Sequence, residues 1–286
     1  MENALGIIGG SGLYQLPGLE EIEELQVDTP FGAPSGPILR GRLDGRSLYF
    51  LARHGPQHTL LPSEIPFRAN LWALKALGCS YAVSVSAVGS LQDHLAPGHV
   101  VVVDQFVDRT KNRPRTFFGD GIVAHVAMAE PVSAKLAAAV ADAVAHCGGT
   151  VHRGGTYICI EGPTFGTRAD SELYRSWGMD VVGMTNWPEA ALARECEIAY
   201  ATMAMVTDYD CWKTDETVTV EAVIAQLQAN ADLATETVAH LARTFALDES
   251  DPTCHDALAV AILTPHDAIS DAARSRLEPL LRRYLP

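Results

Sequence analysis

The stretch that decides the fold is a short apolar run that ends in a glycine-rich turn, Ala4-Leu5-Gly6-Ile7-Ile8-Gly9-Gly10-Ser11-Gly12. An apolar run of this length followed by glycines predicts a buried strand. The turn allows backbone N–H groups to approach an anion, and Ser11 adds a hydroxyl donor. The glycine spacing differs from a dinucleotide fingerprint, and the residues that follow do not open a long helix, so no NAD site is predicted.

Further apolar runs alternate along the chain with segments of helical periodicity, which is typical of α/β proteins. The predicted strands are Ala4–Ile8, Ser47–Ala52, Tyr81–Ala87, Val100–Phe106, Gly155–Glu161, Val181–Met184 and Ala199–Thr207. The predicted helices are Arg68–Leu77, Pro131–His146, Thr167–Trp177, Pro188–Arg194 and Val220–Ala246. This order of elements predicts a largely parallel or mixed sheet that lies between helices.

An acidic stretch that ends in proline, residues 247–252, is interpreted as a linker. It separates an α/β domain of residues 1–246 from a C-terminal extension of residues 247–286, which is expected to pack on the same domain. The extension is predicted to contain an apolar segment, Ala257–Leu263, and a final helix around Asp271–Tyr284. Four arginines of that helix are interpreted as a solvated face rather than a phosphate site: Arg274, Arg276, Arg282 and Arg283.

Composition excludes several classes of function. Of the 286 residues 48% are hydrophobic, and the formal net charge of −14 disfavours non-specific binding to nucleic acid or to an anionic membrane. The N-terminal residues lack the basic and apolar regions of a secretory signal, and no apolar run is long enough for a membrane span. The six scattered cysteines have no metal-binding spacing, so we expect reduced thiols, no metal site and a cytoplasmic location.

Polar residues follow several predicted strands at the points where the strands end. Arg53 and His54 follow the second strand, where a planar guanidinium suits phosphate oxygens and an imidazole adds a donor. Ser86, Ala87 and Thr185 end two other strands and offer hydroxyl and amide donors. Ligands tend to bind at strand ends in α/β sheets. Each segment alone has an equally good structural explanation, but their joint occurrence predicts an anion site.

Two other segments carry groups suited to a planar base. Phe165 lies in a loop where it could stack on a base, although packing in the core is the alternative. Asp208 and Asp210, two residues apart beyond a strand, point to the same side if the backbone stays extended, and such a pair could share a proton. A loop cap or a turn remains the alternative for an isolated pair.

In order along the chain, these segments resemble the methylthioadenosine phosphorylase branch of the trimeric purine nucleoside phosphorylase family. The resemblance runs from residue 6 to about residue 241. It passes through residues 66–70, 103–110 and 128–131 and through Arg53-His54-Gly55-Pro56-Gln57-His58, Glu161-Gly162-Pro163, Met184-Thr185, Pro188-Glu189 and Thr207-Asp208-Tyr209-Asp210-Cys211-Trp212. The resemblance implies an α/β fold with a mixed, partly barrel-like central sheet flanked by helices. It also implies a homotrimer with active sites at the subunit interfaces.

The resemblance assigns roles to individual residues. Phosphate would be held by Ser11, Arg53, His54, Ser86, Ala87 (through its backbone amide) and Thr185. Met184 would lie against the ribose, and the base would meet Phe165, Asp208 and Asp210. His125 would reach the substrate of a neighbouring subunit, and an apolar 5′ pocket would be formed by Val220, Val223 and Ile224. Inorganic phosphate is expected as a co-substrate, with no cofactor.

The implied reaction is phosphorolysis of 5′-methylthioadenosine to adenine and 5-methylthioribose 1-phosphate. A protonated Asp208 could donate to N7 of the base and accept from its 6-amino group, whereas an asparagine would suit a 6-oxopurine better. Three alternative substrates remain open: 5′-methylthioinosine, 5′-deoxyadenosine and other purine nucleosides. A non-catalytic nucleoside-binding protein is the alternative from another class.

Overall fold

The computed structural model describes residues 3–10, 13, 16–213 and 220–285, with the backbone alone for residues 220–224. Its strands are β1 Ala4–Gly9, β2 Glu20–Leu25, β3 Ile38–Leu43, β4 Arg46–Ala52, β5 Cys79–Ser90, β6 Val100–Val103, β7 Gln105–Arg109, β8 Val151–Arg153, β9 Thr156–Ile160, β10 Val181–Gly183 and β11 Ala199–Asp208. Its helices are α1 Phe67–Ala76, α2 Ala134–His146, α3 Arg168–Ser176, α4 Asn186–Glu195, α5 Val220–Thr244, α6 Pro252–His255, α7 Asp271–Arg276 and α8 Glu278–Leu281.

The strands form one mixed sheet that branches around β5. β5 pairs in parallel with β1 on one side and with β11 on the other, and its last residues pair antiparallel with β10. From β1 the sheet continues through β4, β3 and β2; from β10 it continues through β9 and β7; from β11 it continues through β6 and β8. This arrangement confirms the mixed sheet between helices that the sequence predicts.

Two apolar layers cover the central strands, which explains why these strands read as continuous apolar runs. One layer contains buried residues of α1 and α4, such as Leu71 and Leu192, together with Leu258 and Leu280 of the C-terminal extension. The other contains buried residues of α2 and α5. The extension therefore packs in the same core as the sheet, while the domain boundary at residues 246 and 247 stays a prediction. None of the described helices has the length and apolarity to cross a membrane.

The strand predicted over Val100–Phe106 is wrong as a single element. β6 and β7 meet at Asp104, whose Oδ1 accepts a hydrogen bond from the Gly155 amide at 3.1 Å. Each half pairs with a different strand, β6 with β8 and β11, and β7 with β9. The apolar run thus continues through a point where the chain passes from one branch of the sheet to another.

The single helix predicted around Asp271–Tyr284 is also wrong, because the structure has two short helices, α7 and α8, joined at Leu277. Pro279 lies in the first turn of α8, where a missing N–H is tolerated. The arginines of this region are not simply a solvated face. Arg276 donates to the Gly119 carbonyl at 2.7 Å, and Arg283 donates to the His255 carbonyl at 2.8 Å. They tie the extension to itself and to the rest of the chain.

Candidate active site

The ends of β4 and β10 lie close to the later part of β5, and together they gather the polar residues predicted for an anion site. The strand end predicted at Ala87 is wrong, because β5 continues to Ser90. The Arg53 amide donates to the Gly9 carbonyl at 2.9 Å, which places Arg53 beside the glycine turn after β1. Its Nη1 donates to the Val85 carbonyl on β5 at 2.9 Å. The next residue on β5, Ser86, has its hydroxyl 3.0 Å from that of Thr185, just beyond β10. Ser11 lies outside the described residues.

Arg53 forms a buried ion pair with Glu189, in the first turn of α4 after the kink at Trp187. Nε donates to Oε2 at 2.7 Å and Nη2 donates to Oε1 at 3.0 Å, with the two side chains only 3% and 1% exposed. Despite burial, this partner raises the pKa of Arg53 above its ordinary value. Such two-point pairing fixes the plane of the guanidinium as well as its position.

A buried hydrogen-bond network surrounds this pair and locks it between β5 and β11. Tyr200 donates to Glu189 Oε1 at 2.8 Å, and Arg53 Nη2 donates to the Ser84 hydroxyl at 2.6 Å. Asn186 donates to the Tyr200 hydroxyl and to Ser84. Because buried polar groups are costly unless paired, the network holds Arg53 in one orientation against Ser84 and Val85 of β5.

Asp208, the last residue of β11, and Asp210, two residues beyond it, form the aspartate pair beside Gly89 of β5. The Asp208 oxygens accept from the Thr207 hydroxyl and from the Asp210 amide, both at 2.7 Å. A Cβ on Gly89 would lie 3.2 Å from the Asp210 Cβ and 3.3 Å from Asp208 Oδ1, so the glycine makes room for the pair. Burial raises the pKa of Asp210, and the neighbouring Asp208 charge acts in the same direction.

The loop after β9 lies next to the aspartate pair. Phe165 is 85% exposed, so it is not a core residue. The adjoining Gly166 carbonyl accepts a weak hydrogen bond from the Cys211 thiol at 3.5 Å. Met184 is half-buried, and its sulfur packs so closely against Gly162 that a Cβ there would lie 2.5 Å from it. Phe165 and Met184 thus belong to loops that flank the strand ends.

A family model described as the phosphorylase superfamily matches residues 4–245. The chain belongs to this superfamily. The S-methyl-5′-thioadenosine phosphorylases of Thermosynechococcus vestitus and Geobacter sulfurreducens are 52% and 48% identical to it, and each match covers 100% of both chains. These matches confirm the family resemblance.

Solved structures agree with this membership. The crystal structure of a methylthioadenosine phosphorylase from an Antarctic soil metagenomic library has a TM-score of 0.95 at 47% identity, covering 98% of this chain and 99% of that chain. A mutant adenosine/methylthioadenosine phosphorylase from Schistosoma mansoni, in complex with methylthioadenosine, has a TM-score of 0.78 at 35% identity. That match covers 88% of this chain and 94% of the other.

One residue of this phosphorylase that the sequence did not single out is Arg113, which is 4% exposed. It donates to the carbonyls of Glu161, Met184 and Trp187, at 2.8, 2.7 and 2.7 Å, and its Nε contacts the Glu161 carboxylate at 3.3 Å. One guanidinium therefore joins the loops after β9 and β10. We interpret Arg113 as a positioning residue for both loops.

The structure does not bring every predicted site residue together. His125 is exposed, and its amide donates to the Ala261 carbonyl of the C-terminal extension at 2.9 Å. Among the described residues, no hydrogen bond, ion pair or ring contact joins its side chain to the strand-end residues. Ala87 is exposed on β5 next to Ser86. The side chains of the predicted 5′ pocket, Val220, Val223 and Ile224, lie outside the described part of the chain.

Glu189 and Arg113 were missed as site residues for a common reason. Both lie in segments that carry the family resemblance or border it, but their importance comes from partners far along the chain. Glu189 is 136 residues from Arg53, and Arg113 is 71 residues from Met184. The one available signal for Glu189 is a charged residue directly after Pro188 and before four apolar residues, Ala190–Ala193.

Proposed function

We propose that this phosphorylase cleaves 5′-methylthioadenosine with inorganic phosphate, giving adenine and 5-methylthioribose 1-phosphate. The observation that carries the proposal is the junction of strands at which the polar residues predicted to bind an anion and a carboxylate pair lie on neighbouring strands of one sheet. The full-length relatives described above, named for the same substrate, support it. Phosphate is the second substrate, and its contacts would come from Arg53, His54, Ser86, Ala87 and Thr185, with Ser11 completing the set.

The reaction would be a displacement at C1′ through an oxocarbenium-like transition state. The strand-end donors position phosphate on the face of the sugar opposite the purine, and the charge of the anion stabilises the developing cation. This arrangement needs no covalent intermediate with the enzyme. Orientation of the nucleophile, rather than its activation, is the main contribution of Arg53, Ser86 and Thr185.

The departing purine must gain a proton at N7, and the aspartate pair is the proposed source. Burial raises the pKa of Asp210, with the nearby Asp208 charge acting in the same direction, and this favours retention of one proton at the aspartate pair. Asp208 would deliver it to N7 and accept from the 6-amino group. Replacement of Asp208 by asparagine should therefore move the preference from 6-aminopurine toward 6-oxopurine nucleosides.

We further propose that the active unit is a homotrimer in which His125 acts on a neighbour's substrate. His125 lies among exposed apolar side chains, Val123, Val260 and Leu263, which are 47%, 92% and 61% exposed. The Leu263 amide donates to the Val123 carbonyl at 2.9 Å, so these residues form one surface. Exposed apolar patches of this kind are typical of interfaces. The predicted cytoplasmic location stays a prediction.

The test is adenine release from 5′-methylthioadenosine with and without added phosphate, with 5′-methylthioinosine and adenosine assayed in parallel. Fast, phosphate-dependent release from methylthioadenosine would support the proposal. Preference for methylthioinosine would retain the phosphorylase and overturn the role of Asp208. Absence of turnover on all three would favour a binding protein. Unchanged kinetics in a His125→Ala trimer would remove His125 from the site.

A further inference from the structure

The His54 ring has a defined hydrogen-bonding polarity. Its Nδ1 lies 2.8 Å from the Leu60 carbonyl oxygen. A carbonyl only accepts hydrogen bonds, so Nδ1 must carry the proton. The neutral ring then has no hydrogen on Nε2, which presents a lone pair. Any ligand group that contacts Nε2 must supply a proton, unless the ring itself is protonated.

The groups around His54 keep the ring neutral. Its pKa is lowered from the ordinary value, chiefly by burial, and the nearby Arg53 and His58 act in the same direction. The Leu60 hydrogen bond and the Glu189 carboxylate oppose this shift without reversing it. His58 stacks on the ring with centroids 4.3 Å apart and planes inclined by 13°.

Arg53 has far fewer N–H donors available to a bound anion than a free guanidinium has. Of its five N–H groups, Nε–H is taken by Glu189, both Nη2 hydrogens are taken by Ser84 and Glu189, and one Nη1 hydrogen is taken by the Val85 carbonyl. One Nη1 hydrogen has no partner among the described residues. Because Glu189 also compensates the positive charge, the site is close to neutral, and its preference among anions depends on individual donors and acceptors.

We propose that His54 makes the anion site selective for an oxyanion that carries a proton. Hydrogen phosphate has a P–OH group that donates to the Nε2 lone pair. Sulfate is fully ionised near neutral pH and has acceptors only. It therefore cannot form a hydrogen bond with the Nε2 lone pair, because neither group carries a proton. The inference rests on the proposed function, because it assumes that phosphate binds at the strand ends beside His54.

The proposal has a specific pH signature. Sulfate should bind well only after His54 has taken up a proton, so its inhibition constant should rise about tenfold per pH unit above the pKa of His54. The KM for phosphate should change far less, because hydrogen phosphate brings its own proton. A donor–acceptor mismatch of this kind typically alters affinity roughly ten- to hundredfold.

The experiment measures sulfate as a competitive inhibitor against phosphate, from about pH 6 to about pH 8.5. Arsenate is the matched control anion, because it carries a proton in the same range and has a similar shape. His54→Gln offers an NH2 group where the ring has a lone pair, and His54→Asn retains the donor to the Leu60 carbonyl but removes the far nitrogen. His58→Asn is the control at the stacked ring, since φ of 54° at this position suits asparagine.

The proposal would be supported by two results together. Selectivity for phosphate over sulfate should rise with pH in the unmodified enzyme and in His58→Asn, and it should be low and independent of pH in His54→Gln. A sulfate inhibition constant that parallels the phosphate KM across the pH range would overturn it, even if no variant folds. Selectivity retained in His54→Gln would also overturn it. Turnover that needs no phosphate would instead refute the proposed function.

Discussion

Removal of the Glu189 carboxylate tests the way in which Arg53 is held. In Glu189→Ala the guanidinium would keep its charge at a position that is 3% exposed and lose two hydrogen bonds, of 2.7 and 3.0 Å. Loss of one partner from a buried ion pair usually costs about 3–5 kcal/mol, because the other charge is left without compensation. We therefore expect the free energy of unfolding to fall by about 3–5 kcal/mol.

A double variant separates stability from catalysis. Apolar replacement of both partners, Arg53→Met with Glu189→Leu, removes the uncompensated charge, and such replacements are often neutral. The double variant should therefore be more stable than Glu189→Ala, while the KM for phosphate rises because the positioned Nη1 donor is gone. Denaturant unfolding at one fixed protein concentration and initial rates against phosphate measure the two effects.

The exposed pair between Arg40 and Glu23, 3.8 Å apart and 37% and 59% exposed, is the control. Glu23→Ala should change the unfolding free energy by less than about 1 kcal/mol. The reasoning would be refuted if Glu189→Ala lowered the free energy of unfolding by no more than Glu23→Ala does. It would also be refuted if the double variant bound phosphate as the unmodified enzyme does.

Three other predictions follow from single contacts. Burial raises the pKa of Glu195 from 4.5 to about 7, so the free energy of unfolding should fall by about 3 kcal/mol as pH rises through that window. Glu195→Gln should abolish that fall in pH-dependent denaturation, and an unchanged profile would contradict the assignment. Gly89→Ala should lower kcat/KM for the nucleoside roughly tenfold by displacing the aspartate pair, whereas Gly6→Ala, with ordinary contacts of 3.4 Å or more, should leave it unchanged. Arg113→Lys should lower kcat roughly tenfold, because one ammonium cannot reach three carbonyls in different directions. The exposed Arg115→Lys is the control, and an equal loss of kcat there would contradict a special role for Arg113.

The centre of the sheet could be predicted from the sequence, but its edges could not. β1, β5 and β11 are buried on both faces, so their apolar runs stand out without any knowledge of their neighbours. β2 has the sequence Glu-Glu-Ile-Glu-Glu-Leu and is almost wholly exposed. Because neither face of it is buried, its sequence lacks the alternation of apolar and polar residues that would predict a strand. Its strand conformation comes from antiparallel pairing with β3, which is a tertiary effect.

The residue types of the candidate site could be predicted, but their pairings could not. Polar residues directly after apolar runs drew attention to Arg53 and Thr185, which follow strands, and to Ser86, which lies within β5. The partner of Arg53 could not be chosen, because the chain has 35 acidic residues and the pairing is set by the way α4 packs beside β5 and β11. The hydrogen on His54 Nδ1 is likewise fixed by a carbonyl that only the folded loop brings near.

These pairings are consistent with binding of an anionic substrate by a chain with a formal net charge of −14. Overall charge acts through solvent and is screened within about 8–10 Å, whereas the strand-end donors act at contact. Glu189 compensates Arg53, so the proposed phosphate would not face a full opposing charge. An unpaired guanidinium would hold phosphate more tightly before and during the reaction alike, and such uniform binding does not speed the chemical step. A near-neutral site leaves the charge of the anion available to the developing cation at C1′. The Glu189 carboxylate, which compensates the buried charge of Arg53, therefore also limits how tightly phosphate is bound before the reaction. Stability and catalysis thus depend on the same side chain.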